Sequence, residues 1–599
     1  MAWYDEAVFY HIYPLGLAGA PKQNDYGEPV HRLNTLLPWV DHIKEIGGSA
    51  LYIGPLFESV GHGYETTDYK KLDSRLGTNE DLTAFVAYCH EQGIKVIFDG
   101  VFNHTGRDFF AFKDIQANRE NSQYKDWYCN VNFWGNNEYN DGFSYDNWGG
   151  YNLLVKLNQK NPAVVDYICD VIRFWVSEFD VDGIRLDAAD VLDFDFMKAL
   201  RRTANEVKPD FWLMGEVIHG DYSRWVNGET LHSVTNYTLH KALYSGHNDH
   251  NYFEIAHTVR RLQNMGTLKL YNFVDNHDVE RIYTKLTNKA HFAPVHVLLY
   301  TLPGVPSIYY GSEFGIEGRK EYGSDDSLRP ALNIEDYKDS VKTNPCTALI
   351  AALGKVRQAV PALSYGSYDE LMLTNRQFAY ARDLDGTRVI VSVNNDDAPA
   401  GMHLAAGNCT AYIGALSGEK VSVQDGHINI TQPANSGEIW VPEGTDLDVK
   451  PVKVVTKTDS EAKTNTEDKA ASETATDAKG NQESEPKIES KESKDIVTAT
   501  ESADAKKNTT NTEKNISAAN EVKDSAKDAS AQAAADTPVD PETITVDWSK
   551  SPESMTVPEL QAAILAKLAG NGPVDAQMKK TVTDNIWHDS LVNWLKSFR

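Results

Sequence analysis

The sequence predicts an α/β fold: a (β/α)8 TIM barrel with an inserted lobe after strand 3, then a C-terminal antiparallel β-sandwich domain, a disordered tail and a terminal helical hairpin. Three observations predict it. Short β-rich runs alternate with amphipathic helical stretches as far as residue 360. A polar, aromatic interval breaks that alternation after the third run. Beyond Pro361 the runs become short and are separated by turn residues.

Taken in order, the strand candidates are residues 8–13, 49–53, 95–98, 183–186, 212–215, 233–236, 270–274 and 307–310. Helical patterns lie between them, such as 79–92, which Gly93 stops, and 163–178. Eight buried parallel strands, each followed by a helix, make a closed barrel over 1–360. The interval of about 105–155, rich in Asn, Gly, Tyr and Trp, reads as an inserted lobe. Residues 344–360 supply the last barrel helix, and runs at 378–382, 387–393, 411–413, 427–430 and 438–441 build a β domain over 361–445.

From 446 to 545 the composition turns to Lys, Glu, Asp, Ser, Thr and Ala, with no aromatic residue between Trp440 and Trp548. Such a stretch buries too little apolar surface to offset its ordering entropy, so an acidic, disordered linker is expected. Over 546–599 a helical pattern returns. Leu560, Ile564, Leu565 and Leu568 form one stripe, and Val574 to Phe598 form a second after Pro573. This module is a candidate docking element for a protein partner.

With 58 basic and 86 acidic residues, a net charge of −28 argues against nucleic acid or an anionic membrane surface as partner. The five cysteines are scattered without metal-ligand spacing. No run approaches the roughly 18 apolar residues of a membrane span, and MAWYDEAVFY has no signal-peptide character. A cytoplasmic protein is the simplest expectation; a secreted protein whose signal has been removed reads the same way.

In such a barrel the working groups sit at the carboxyl ends of the strands. FDGVFNH places Asp99, Asn103 and His104 at the third strand, and VDGIRLDAAD places Arg185 and Asp187 at the fourth. LMGEV places Glu216 at the fifth, and FVDNHD places His277 and Asp278 at the seventh. GHGYETTDY, after the second, holds Tyr64. Each has a bland reading alone, as an ion pair or a satisfied core histidine. Carboxylates and histidines gathered at one end of different strands are hard to explain as packing, because unpaired buried charge is costly.

Together with GVPSIYYG at the eighth strand, these segments resemble, in the right order, the signature regions of the α-amylase family of glycoside hydrolases. The resemblance covers roughly residues 3–445. It implies a retaining double displacement, with Asp187 as nucleophile and Glu216 as general acid and then base. One carboxylate must be ionised while the other carries a proton. Arg185 is expected to keep Asp187 ionised, and Asp99 to order the site by pairing with Arg185. Asp278 is expected to hold hydroxyls of the distorted sugar and to keep Glu216 protonated. His104 and His277 are expected to donate to that sugar, and Tyr64 to stack beneath it.

KDWYCNVNFWG and LVKLN resemble the cyclomaltodextrinase and neopullulanase branch, although Leu154 and Val155 replace its Met and Pro. Ala188, small, goes with α-1,4 bonds in this family. Asp190 and Val191 stand where typical α-amylases have Lys-His. Asn103 is a candidate calcium ligand, but one oxygen does not define a site. No cofactor is required by the implied chemistry. The expected function is hydrolysis of α-1,4-glucosidic bonds in maltodextrins, with cyclodextrins or pullulan as further candidates. The alternatives are an α-glucan transglycosylase with the same site, or a non-catalytic carbohydrate-binding or ancillary member.

Overall fold

A computed structural model describes residues 2–449, apart from 267, 322, 323 and 448, together with 546, 548, 550–552, 555–569, 582 and 595. The chain forms two compact units, Met1–Gln482 and Glu483–Arg599.

The first unit is built on eight parallel strands: β1 (Phe9–Ile12), β2 (Ala50–Ile53), β3 (Lys95–Gly100), β4 (Gly183–Leu186), β5 (Trp212–Gly215), β6 (Ser233–Val234), β7 (Tyr271–Asn272) and β8 (Val305–Tyr309). Every pair of consecutive strands but β6–β7 is laddered, and β1 pairs with β8. A parallel bridge between Thr235 and Tyr271 joins the end of β6 to β7 and closes the barrel. Strand pleating sends alternate residues to opposite faces. Phe9, Ala50, Tyr52, Ile97, Trp212, Met214 and Val305 fill the interior as one cluster. Leu51, Ile53, Val96, Phe98, Ile184 and Leu186 pack outward against the helices. Both faces are therefore buried, which explains the nearly continuous apolar runs.

The same alternation aims the working residues. Asp99 follows inward Ile97 by two, and Arg185 follows Gly183 by two. A Cβ on Gly183 would lie 2.5 Å from the Trp212 carbonyl oxygen, so that inward position takes no side chain.

The outer ring comprises α1 (Leu37–Glu45), α2 (Asn79–Glu91), α3 (Pro162–Phe179), α4 (Phe194–Val207), α5 (Tyr237–Asn248), α6 (Tyr252–Asn264), α7 (Phe292–Thr301) and α8 (Pro345–Ala359). Several starts are capped as their sequences suggest. Asn161 accepts from the Ala163 amide ahead of Pro162, and Asp193 accepts from those of Asp195 and Phe196. The expectation of a helix after every strand fails once. Between β5 and β6 lies a single 3-10 turn, Tyr222–Arg224. There Asp221 and Asn227 side chains accept nearby amides and satisfy the backbone locally.

The inserted lobe is a small antiparallel sheet of His104–Thr105, Tyr151–Lys156 and Asn147–Trp148, with a helix at Phe110–Asn118. It hangs from the end of β3, above the barrel mouth.

The C-terminal domain has eight strands: β9 (Ser367–Leu373), β10 (Gln377–Leu384), β11 (Thr387–Asn394), β12 (Ala400–Ala405), β13 (Ala411–Gly414), β14 (Lys420–Ser422), β15 (His427–Gln432) and β16 (Ser436–Pro442). They form a six-stranded sheet in the order β9-β10-β11-β16-β13-β14 and a β12-β15 pair. Ile390, Met402, Leu404, Ile428 and Trp440 fill the space between them. Strands β9, β12 and β14 carry charge, Gly or short length and escape a pattern search.

In the second unit, α9 (Val557–Ala569) starts with Glu559 reaching back to its first turn, its carboxylate accepting from the Thr556 amide at 2.7 Å and from the Thr556 hydroxyl. Leu560, Ile564 and Leu565 are buried with Met555, Val582 and Leu595. The rest of the expected second arm, and the expected linker beyond its first residues, lie outside the described residues. Among the described residues no helix is long and apolar enough to cross a membrane.

Candidate active site

The site is organised around Arg185, delivered by β4 and almost wholly buried. Its Nη1 donates to Asp99 Oδ1 at 2.9 Å and to Asp187 Oδ1 at 2.9 Å. Its Nη2 lies 2.8 Å from Glu216 Oε2. One guanidinium thus joins the ends of β3, β4 and β5. Asp99 is also held by the Tyr52 hydroxyl at 2.7 Å and the Tyr64 hydroxyl at 3.1 Å.

Directly after Asp187 the backbone of Ala188 turns left-handed, at φ 46°. This turn points the Ala188 amide at Glu216 Oε2, 3.2 Å away. The Tyr237 hydroxyl donates to the other Glu216 oxygen at 3.2 Å.

Across the mouth, Asp278 takes the Arg329 guanidinium at 2.9 Å and lies 3.1 Å from His277 Nε2. The Tyr64 hydroxyl bonds the same His277 nitrogen, and the two rings stack with centroids 5.7 Å apart. His104 bonds the Tyr64 carbonyl at 3.0 Å. All eight residues predicted for catalysis and substrate contact therefore meet in one mouth.

The electrostatics sharpen this picture. Burial pushes the Asp187 carboxyl well up, Arg185 opposes it, and the charges of Glu216, Asp99 and Asp278 add to it. Arg185 alone therefore does not set the charge of Asp187, contrary to expectation. Three carboxylates share one guanidinium, and in a dry site the surplus negative charge favours retaining a proton. At Asp278 burial also works against the charged form, but His277, Arg329 and Arg185 outweigh it and hold the carboxyl well below the usual range. Burial pushes the His104 imidazole down to about 4, so the ring is neutral near pH 7.

Asn103 is fully buried and its Oδ1 has no hydrogen-bond partner. Among the described residues no group of three or more His, Cys, Asp or Glu is placed to hold a metal ion. The open Asn103 Oδ1 fits the candidate calcium ligand of the sequence.

Sequence reading missed Tyr237, Arg329, Tyr52 and Asn276. Tyr237 stands just beyond the sixth strand, whose end carries no carboxylate to mark it. Arg329 comes from the long loop after β8, where no periodicity or motif marks it.

A barrel presenting acids from the ends of β3, β4 and β5 around one arginine, with a fourth acid beyond β7 held by a second arginine, is that of a glycoside hydrolase. The catalytic-domain model of the alpha-amylase family matches residues 32–355, and the chain belongs to that family. Cyclomaltodextrinase of Bacillus sp is 31% identical over 422 residues, 66% of this chain and 74% of that protein. Neopullulanase 2 of Thermoactinomyces vulgaris is 29% identical over 473 residues, 73% of this chain and 78% of its own. A solved cyclomaltodextrinase structure matches with TM-score 0.66 at 27% identity, covering 73% of this chain and 78% of its own.

Proposed function

We propose that the chain is a retaining hydrolase of α-1,4-glucosidic bonds in maltodextrins, acting by double displacement. The observation that carries the reading is the Arg185 guanidinium, 2.9 Å from Asp187 and 2.8 Å from Glu216. It places two carboxyl groups with opposite duties on one rigid fork. The relatives named cyclomaltodextrinase and neopullulanase support cyclodextrins and pullulan as further substrates.

Asp187 attacks the anomeric carbon while Glu216 protonates the departing oxygen. The same Glu216 then takes a proton from water, which releases the sugar with its original α configuration. Asp278, ionised, accepts hydroxyls of the sugar at the cleavage site, and His277 donates to others. His104, expected to donate to the sugar, gives its one N–H to the Tyr64 carbonyl instead and so holds the Tyr64 backbone in place. Tyr64 offers a ring face to that sugar, and Asp99 fixes Arg185. Carboxylates carry every step, so no cofactor is required. A cytoplasmic setting is supported by a relative named intracellular maltogenic amylase, from Bacillus subtilis, 28% identical over 418 residues.

The test is a product profile on maltoheptaose, pullulan and β-cyclodextrin, with the anomer of the first product read by NMR. α-Anomeric products from α-1,4 cleavage are expected. Initial β-anomers, or products longer than the substrate in place of hydrolysis, overturn the proposal. Asp187→Ala should abolish turnover while the protein still folds.

A further inference from the structure

We infer that Tyr237 and Asn276 are positioning residues that make Oε1 the proton-bearing oxygen of Glu216, which rests on reading Glu216 as the general acid. The two Glu216 oxygens have unlike surroundings. Oε2 receives the Arg185 guanidinium at 2.8 Å and the Ala188 amide at 3.2 Å. Both are obligate donors, so a proton on Oε2 would face two others. Oε1 meets the Tyr237 hydroxyl instead, at 3.2 Å. A hydroxyl rotates: it donates to the carboxylate and accepts from the acid.

The Tyr237 oxygen accepts in turn from Asn276 Nδ2 at 3.2 Å. The Asn276 amide has its direction set by its own partners. Its Oδ1 accepts the Asp278 amide at 2.8 Å and the Val279 amide at 3.0 Å, which aims Nδ2 at Tyr237. The Tyr237 ring sits edge-on against Phe273, with centroids 4.9 Å apart. Burial, with Glu216 and Asp278 nearby, pushes the phenol well above its ordinary range and keeps it neutral. A chain of contacts thus runs from the turn carrying Asp278, through the first residue of α5, to the end of β5.

In the first half-reaction the Oε1–H bond breaks as its proton passes to the glycosidic oxygen. The bond from the anomeric carbon to that oxygen breaks with its electron pair left on the oxygen, and Asp187 forms a new bond to the carbon. In the second half Oε1 recovers a proton from the attacking water, whose oxygen displaces Asp187. Without Tyr237 the carboxyl group rotates about its last bond, and the proton is presented less often toward the leaving oxygen.

The test compares Tyr237→Phe and Glu216→Gln on maltotriose and on α-maltosyl fluoride. Fluoride leaves without protonation, so kcat/KM on it reports nucleophilic attack without the acid. Glu216→Gln should lose at least about 100-fold on maltotriose and far less on the fluoride. Tyr237→Phe should lose about 10- to 100-fold in kcat on maltotriose with KM little changed, and about threefold or less in kcat/KM on the fluoride. Equal losses of Tyr237→Phe on both substrates, or no loss on either, overturn the positioning role. Equal losses of Glu216→Gln overturn the assignment of the acid itself, whatever Tyr237 does.

Discussion

Arg185 donates to Asp187 at 2.9 Å with the same nitrogen that serves Asp99, while its second nitrogen holds Glu216. The acids proposed for the two half-reactions are therefore positioned by one planar group whose own rotamer is locked by a third carboxylate. Lysine offers a single nitrogen and cannot span all three. Arg185→Lys is expected to lower kcat/KM by at least about 1000-fold. Arg185→Met, which leaves buried carboxylates without a cation, is expected to destabilise by about 3–5 kcal/mol. Steady-state kinetics and urea midpoints check both. An Arg185→Lys variant with near-normal turnover would show that the fork is dispensable.

Arg329 reaches Asp278 from a different loop. Removing it as Arg329→Met takes away one of the three groups, with His277 and Arg185, that oppose burial at Asp278. The Asp278 carboxyl is held down when folded, so it is ionised across the neutral range and takes a proton only in acid. Losing Arg329 lets its pKa rise, so the acid limb of the kcat/KM profile moves to higher pH. A profile whose acid limb does not move would assign that limb to another group.

What was legible in the sequence follows from periodicity and position. The strands at 183–186 and 212–215 are short runs that are apolar apart from Arg185, as strands buried on both faces require, and the carboxylates at their ends need a common partner. Tyr237 and Arg329 were not legible because their roles depend on where a helix start and a long loop come to rest. The conformation of Ala188 was equally hidden. The residue reads as merely small, whereas in the fold it occupies the left-handed region at φ 46°.

That conformation has its own consequence. A β-branched side chain in the left-handed region costs of order 1–3 kcal/mol, while glycine visits it freely. Ala188→Val should lower the thermal midpoint and weaken the Ala188 amide contact to Glu216. Ala188→Gly should hold the midpoint level or raise it. Differential scanning calorimetry of the two variants decides the matter. A Val variant as stable as the parent would mean that the turn relaxes in solution.

The seam between barrel and β domain makes a prediction about acid. His247 at the end of α5, His250, His291 and His296 of α7 gather there, with rings 5.7 Å apart for His247–His291 and 5.2 Å for His250–His291. His291 donates to the Asn395 carbonyl of the β domain at 3.2 Å. Burial pushes His247 down to about 3, and the neighbouring His291 adds to it. Burial also pushes His291 and His296 down to about 4. The unfolded chain protonates these groups near pH 6.5, well above the folded values. Between those limits the unfolded state binds more protons, so their contribution is complete above about pH 6.5 and is lost as the pH falls toward 4. Each group costs about 1.4 kcal/mol for every pH unit crossed in that window. Urea midpoints should therefore fall steeply from pH 6.5 to 4 and flatten in His247→Gln/His296→Gln, whose side chains do not titrate. An unchanged slope in that double variant would place the acid sensitivity elsewhere in the barrel.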